Sequence, residues 1–221
     1  MFPLYDTARS HKFPLINLML IGANILAFLY ELQMGSQARE FISTWGLIPA
    51  RFLNSPSNFW MTIFTSMFLH GGWFHILSNM WVLFIFGDNV EARLGGTRYL
   101  IFYLLSGTFA GLIQSYILPA SQVPMIGASG AIAGVLGAYL ILFPRSRVAS
   151  LVPIFFIFTI VEIPAAIFLL FWFASQLYSG WFAIQGGSAS GIAWWAHIGG
   201  FTFGLIMVFF FRRNSMSLRG R

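Results

Sequence analysis

Long apolar runs alternate along this chain with short polar, glycine-rich or proline-rich breaks. Residues 13–34, 72–90, 99–118, 127–143, 163–180 and 192–211 each stay apolar for roughly the length that a helix needs to cross a bilayer. The pattern predicts an all-α membrane protein with six transmembrane helices, forming a single domain over residues 1–221. A long first loop, residues 35–70, carries tryptophans and prolines but few charges. The second span ends in "DNVEARLGGTR", and the fourth ends in "PRSR", where proline and arginine are expected to stop a helix. The stretch 148–178 is apolar but too long for one span, and it contains Pro153, Glu162 and Pro164. A charge at mid-bilayer costs roughly 2.5–3.5 kcal/mol. That cost favours an interfacial segment up to Val161 and a fifth span from Ile163, with Glu162 near the headgroups. One long tilted helix with Glu162 buried is the alternative.

Composition supports the same class. The chain is 58% hydrophobic and 8% charged, with a mean hydropathy of +0.78, whereas soluble domains carry about a quarter charged residues. The net charge of +6 invites a nucleic-acid reading, but the basic residues flank apolar segments. Arg9, Lys12, Arg93, Arg98, Arg145, Arg147, Arg212, Arg213, Arg219 and Arg221 fall on one side of the proposed membrane, and only Arg39 and Arg51 on the other. That asymmetry places both termini in the cytoplasm of a multi-pass protein, with no nucleic-acid partner. The chain has no cysteine, which excludes disulfides, thiolate metal sites and cysteine catalysis. No cofactor or metal is expected. The N-terminus shows no removable signal peptide, and no feature sets an oligomeric state.

Helix rise converts sequence distance into depth. Ser129 precedes Arg145, His197 precedes Arg212, and His75 precedes Glu91 by nearly equal intervals, each roughly 23–24 Å of helix. Ser129, His197 and His75 therefore share one depth below the less basic face, and Asn79 lies a turn below His75 on the same helix face. Such intramembrane polar groups are functional candidates. A serine hydroxyl needs a base to become nucleophilic, and histidine is the usual one. No acidic residue falls at the depth of His197, so the expected unit is a Ser-His dyad. Ser129 opens a helix whose first-turn amides have no internal acceptor. The N–H of Ser129 or Gly130 and the side chains of His75 and Asn79 can then stabilise an oxyanion. Gly130, Gly134 and Ala138 on the fourth span, and Ala196, Gly200 and Gly204 on the sixth, form small-residue stripes that allow close helix approach.

The bland readings are packing for the serine, interhelical hydrogen bonding for the histidines and Asn79, and a structural place at the loop boundary for His70. They are outweighed by a resemblance. "HGGWFHILSNMWVLFIFG" (70–87), "EARLG" (91–95), "GASG" (127–130) and "AHIGG" (196–200), in this order on six spans, resemble the rhomboid family of intramembrane serine proteases. The resemblance implies a six-transmembrane-helix rhomboid-like bundle in a bacterial inner membrane that cleaves transmembrane protein substrates within the lipid bilayer, near its outer face. Ser129 would be the nucleophile, His197 the base, His75 and Asn79 the oxyanion-hole side chains, and Glu91 and Arg93 a structural motif. It also implies a membrane-embedded first loop and a mobile cap after the fifth span, with 186–191 as hinge. Departures from the family pattern are Trp60-Met61, where many relatives have Trp-Arg, and Ala133, where some carry an aromatic stacked on the histidine. A catalytically inactive binder of membrane clients is the alternative function, and a small transporter a more distant one.

Overall fold

The computed structural model describes residues 2–8, 10, 12–154, 157–185 and 191–212. It begins with strand β1 (Phe2–Asp6) and helix α1 (Leu15–Gln33). The long first loop folds into short helices: α2 (Ala38–Trp45), α3 (Pro49–Asn54), α4 (Pro56–Phe59) and α5 (Thr62–Thr65). Then come α6 (Trp73–Leu94), α7 (Gly96–Ile117), α8 (Ser129–Leu142), strands β2 (Arg147–Ile154) and β3 (Ile157–Pro164), α9 (Ala165–Ile184) and α10 (Trp194–Phe211).

The chain is a membrane-helix bundle. α1, α7, α9 and α10 are long and apolar enough to cross a membrane. α6 adds a fifth when joined to Thr62–Phe68, from which it is bent by 93°. α8 is the centre: every residue from Gly130 to Tyr139 is buried, as a helix apolar on all sides requires. Its 14 residues give roughly 21 Å of helix, short of the ~30 Å hydrocarbon core.

Glycines set the tightest contact in the bundle. A Cβ on Gly200 would lie 2.0 Å from the Gly130 carbonyl oxygen, and one on Gly204 would lie 2.0 Å from that of Gly134. On its other side Gly134 faces Ser106 of α7, where a Cβ would come within 2.3 Å of Oγ. α8 and α10 therefore touch backbone to backbone. Lipid offers no hydrophobic drive for helix association, so such packing is what holds two spans together.

The expectation of an all-α protein is corrected in one region. Within the stretch read as an interfacial segment running into the fifth span, β2 and β3 pair antiparallel, and β1 joins them in a three-stranded sheet ordered β1-β2-β3. β-Branched residues explain this. Val148, Val152, Ile154, Ile157, Thr159, Ile160, Val161 and Ile163 favour a pleated surface, and hydropathy averaged over a span-length window does not distinguish strand from helix. Pro164 ends the strand and caps α9. Glu162 lies in β3, where its carboxylate pairs with the Arg147 guanidinium at 3.3 Å, both about half exposed; the single long helix with a buried Glu162 is ruled out.

Three polar contacts fix the frame. The Glu91 carboxylate accepts the backbone N–H groups of Ile16 at 3.1 Å and Asn17 at 2.7 Å, capping the start of α1. Arg93 lies over the Phe143 ring at 5.6 Å. At the opposite end, both Glu31 oxygens accept the His70 N–H, at 3.1 and 3.2 Å, which fastens α1 to the bend before α6.

Candidate active site

The start of α8 is held by the first loop. Leu47 and Met125 exchange backbone hydrogen bonds of 3.1 and 2.8 Å, and the Gly127 N–H donates to Ser66 O at 2.8 Å. Gly127 then turns the chain with φ +114°, a conformation available at little cost only to glycine. Ser129 follows as the first residue of α8.

His197 sits in the first turn of α10, and the Ala196 N–H beside it donates to Gln114 Oε1 of α7 at 3.2 Å. Because α8 and α10 touch along their glycines, the Ser129 Oγ and the His197 Nε2 lie 2.8 Å apart across 68 residues of sequence.

The other ring nitrogen, Nδ1, lies 2.8 Å from Gln176 Oε1 on α9. The Gln176 amide nitrogen faces two acceptors, Trp172 O at 3.3 Å and Ser175 Oγ at 3.0 Å, so its oxygen is the end turned to the imidazole. An amide oxygen only accepts. Nδ1 therefore carries the ring proton, and Nε2 offers its lone pair to the Ser129 hydroxyl. The ring is also flanked by Trp172, with centroids 6.0 Å apart, and met edge-on by Trp194 at 6.2 Å. Ala133 lies against Gly200 at the α8–α10 contact and borders the cavity. Trp172 supplies from α9 the ring that position 133 lacks.

On the far side of Ser129, His75 and Asn79 converge on Gly127. A Cβ at Gly127 would lie 2.5 Å from His75 Nε2 and 3.7 Å from Asn79 Nδ2. His75 Nδ1 accepts the Gly71 N–H at 3.4 Å, which leaves Nε2–H as a donor. Asn79 Nδ2 is buried without a hydrogen-bond partner. A buried unpaired donor costs about 1–3 kcal/mol, and here it faces the same small space as the Ser129 hydroxyl. The first-turn amides of α8, which begins at Ser129, have no intrahelical acceptor.

This space belongs to a cavity of about 640 Å³ lined by Ser129, His197, His75 and Asn79. Val82 and Phe86 of α6 and Phe168 and Trp172 of α9 line it further, and Phe2 and Pro3 of β1 reach it as well. The Phe86 and Phe168 rings stack at 6.4 Å.

Of the residues singled out from sequence, Ser129, His197, His75 and Asn79 gather here, and Gly130 follows Ser129 at the α8–α10 contact. Gly134, Gly200 and Gly204 form the contact behind them. Glu91 and Arg93 lie in the frame at the other end of α6. The proposed hinge falls mostly on 186–190, outside the described residues. Gln176, Trp172 and β1 were not anticipated. Gln176 had a usable signal: it is a polar residue inside the apolar run "FASQLYSG". The position of β1 had none, because its contacts are all with distant residues.

A family model described as "Rhomboid domain" matches residues 57–214. Rhomboid-like protein 11, chloroplastic, of Arabidopsis thaliana is 39% identical over 75 residues, 34% of this chain and 26% of that protein. Rhomboid protease GluP of Bacillus subtilis is 34% identical over 128 residues, 58% of this chain and 24% of that protein. Rhomboid protein 1, mitochondrial, of Saccharomyces cerevisiae is 26% identical over 151 residues, 66% of this chain and 41% of that protein. In each case the aligned stretch is less than half of the relative's length.

Proposed function

The chain belongs to the rhomboid family, and on that premise we propose that it is an intramembrane serine endopeptidase acting on transmembrane proteins through Ser129 and His197. The observation that carries this reading is the 2.8 Å Ser129–His197 contact, with the histidine tautomer fixed from behind by Gln176. A general base must sit within hydrogen-bond reach of the proton it removes, and this one does.

In the proposed reaction, Ser129 Oγ attacks the scissile carbonyl carbon while His197 Nε2 takes the hydroxyl proton. The carbonyl π electrons move to oxygen, and the oxyanion is met by His75 Nε2–H, Asn79 Nδ2–H and a first-turn N–H of α8. The tetrahedral intermediate collapses as His197 returns the proton to the leaving amine, and an acyl-enzyme remains on Ser129. A water deprotonated by His197 then attacks the acyl carbon and releases the carboxylate product and Ser129. Water is absent from lipid, so the cavity that holds Ser129 and His197 is the place where hydrolysis can occur.

All six long helices are read as spans, α8 being the short central one. On this reading the side carrying the basic residues around α6–α7, α8–β2 and the end of α10 faces the cytoplasm of a bacterial cell, with both termini, as the positive-inside bias favours. Ser129 then lies toward the outer face.

The test is labelling of the reconstituted protein with a fluorophosphonate, followed by cleavage of a co-reconstituted panel of single-span proteins. Wild type should be labelled, and Ser129→Ala should not. Ser129→Ala and His197→Ala should both remain folded and cut nothing. Cleavage by Ser129→Ala at the wild-type rate would sink the proposal. A folded wild type that is neither labelled nor active would favour the client-binding alternative.

A further inference from the structure

The cavity is bordered by a strand of the chain itself. β1 lies between α6 and β2. On one side it pairs with β2 in the register Phe2 with Leu151, Pro3 with Ser150, Tyr5 with Ala149 and Asp6 with Val148. On the other, Trp81 of α6 donates its indole N–H to Pro3 O at 2.7 Å, and its ring stacks on Phe2 at 6.0 Å and 15°. At its inner end Asp6 accepts from Asn89 of α6 at 3.0 Å and from the Tyr139 hydroxyl of α8.

These contacts give the strand a depth and a direction. Trp81 to Asn89 is roughly 12 Å of helix, and Phe2 to Asp6 is roughly 13 Å of strand. β1 therefore runs alongside α6, with Phe2 toward the dyad and Asp6 toward the basic end. Phe2 and Pro3 line the cavity that holds Ser129 and His197.

A peptide bond within a helix is a poor protease substrate, because its carbonyl is hydrogen-bonded and shielded by the surrounding turns. The cleaved segment must be extended at Ser129, and in an apolar setting its freed N–H and C=O groups need partners. A strand edge provides them. β2 is the central strand of the sheet, and β1, whose Phe2 and Pro3 line the cavity, shows that the side of β2 it covers accepts an extended chain there. Val148, Ala149 and Ser150 of β2 are fully buried, so an emptied edge would leave main-chain groups unpaired. β1 can leave at low cost only if another strand takes its place.

We propose that the β2 edge is the docking strand for the extended segment of a transmembrane substrate, that β1 is its resident occupant, and that productive binding exchanges one for the other. The inference rests on the protease reading for the identity of the occupant. The incoming segment pairs antiparallel to β2, runs from the dyad toward the basic end as β1 does, and takes over the Trp81 N–H. An edge that is free for only a tenth of the time binds its ligand about tenfold more weakly than a free edge.

The test uses the full chain, which has no native cysteine, and a synthetic single-span peptide of about 20 apolar residues. The peptide is preceded by a Gly-Ala-Ser segment carrying one cysteine. In the Ser129→Ala background, Leu151→Cys should cross-link to the peptide on oxidation. Deletion of residues 2–6 should raise the yield by about tenfold. No cross-link in any of these backgrounds overturns the docking edge, whether or not the chain is a protease.

In the active protein, Phe2→Cys with Leu151→Cys fastens β1 to β2. The oxidised form should lose cleavage of single-span substrates, regain it on reduction, and label with fluorophosphonate equally in both states. Unchanged cleavage after oxidation, or a parallel loss of labelling, refutes the exchange. A reduced form that neither labels nor cleaves counts against the protease reading, and the cross-linking arm still decides the edge.

Discussion

Gln176 holds His197 from behind: its Oε1 lies 2.8 Å from Nδ1, and Ser129 waits at the same distance from Nε2. The three side chains come from α9, α10 and α8 and form a line in which a neutral amide stands where a carboxylate is more familiar. An amide fixes the tautomer and the ring orientation without bringing a second charge into the membrane. Gln176→Leu should lower kcat by about 10–100-fold, the usual range for a group that orients a functional histidine, with KM little changed. Gln176→Glu retains an acceptor and should keep most of the activity. Equal losses in both variants, or a loss confined to KM, would show that Gln176 does not act through His197.

Asn79 carries a buried donor with no partner. If it serves the oxyanion, Asn79→Ala should reduce kcat by about 10²–10³-fold, the cost of one such donor. It should leave fluorescent substrate binding intact in the Ser129→Ala background. It should not destabilise the protein, since it removes an unsatisfied group. A variant that unfolds several degrees lower with normal kcat would assign Asn79 to structure.

Two glycines, Gly204 at the α8–α10 contact and Gly22 on an open face of α1, predict opposite outcomes. Gly204→Ala pushes a methyl group to 2.0 Å from a backbone oxygen; it should cost about 1–3 kcal/mol by overpacking and weaken fluorophosphonate labelling as the dyad opens. Gly22 in α1 has nothing within 4 Å of its missing Cβ. Gly22→Ala should stabilise by about 0.5–1 kcal/mol with labelling unchanged. Detergent unfolding of both variants beside wild type checks the pair.

Asp6 makes the seating of β1 depend on pH. Burial pushes its carboxyl up from 3.8 to about 6, with Asp88 adding to the shift against the Tyr139 and Asn89 hydrogen bonds that lower it. A carboxyl whose pKa is higher in the folded chain binds its proton more tightly there, so its contribution is whole below about pH 4 and is lost as pH rises through about 6. Wild type should therefore lose thermal stability between about pH 4 and pH 7 relative to Asp6→Asn, which has no proton to give up. Identical pH slopes in the two proteins would contradict it.

Much of this was legible in the sequence because the bilayer makes position readable. Apolar length marked the long helices, of which four are long and apolar enough to cross a membrane, and counting from the arginines set Ser129, His197 and His75, which line one cavity, at one expected level. The short glycine repeats marked the helices able to approach, since in lipid only small residues allow that contact. What stayed hidden has a common cause. Gln176 reaches His197 through a side chain, and nothing local in "FASQLYSG" indicates which way it points. Residues 147–164 are as apolar as a span, so only their β-branched content distinguished a hairpin. β1 finds its place through Trp81, Leu151 and Tyr139, partners that a five-residue strand cannot announce.

Gly127 carries a wider consequence. The volume of the methyl group it lacks is the space where a substrate oxygen would meet His75 and Asn79. Gly127→Ala would push a methyl group into that space and strain the backbone two residues before Ser129, and a scan for the two reacting residues would register neither change. Sorting active from silent members of this fold calls for reading the empty positions along with the occupied ones.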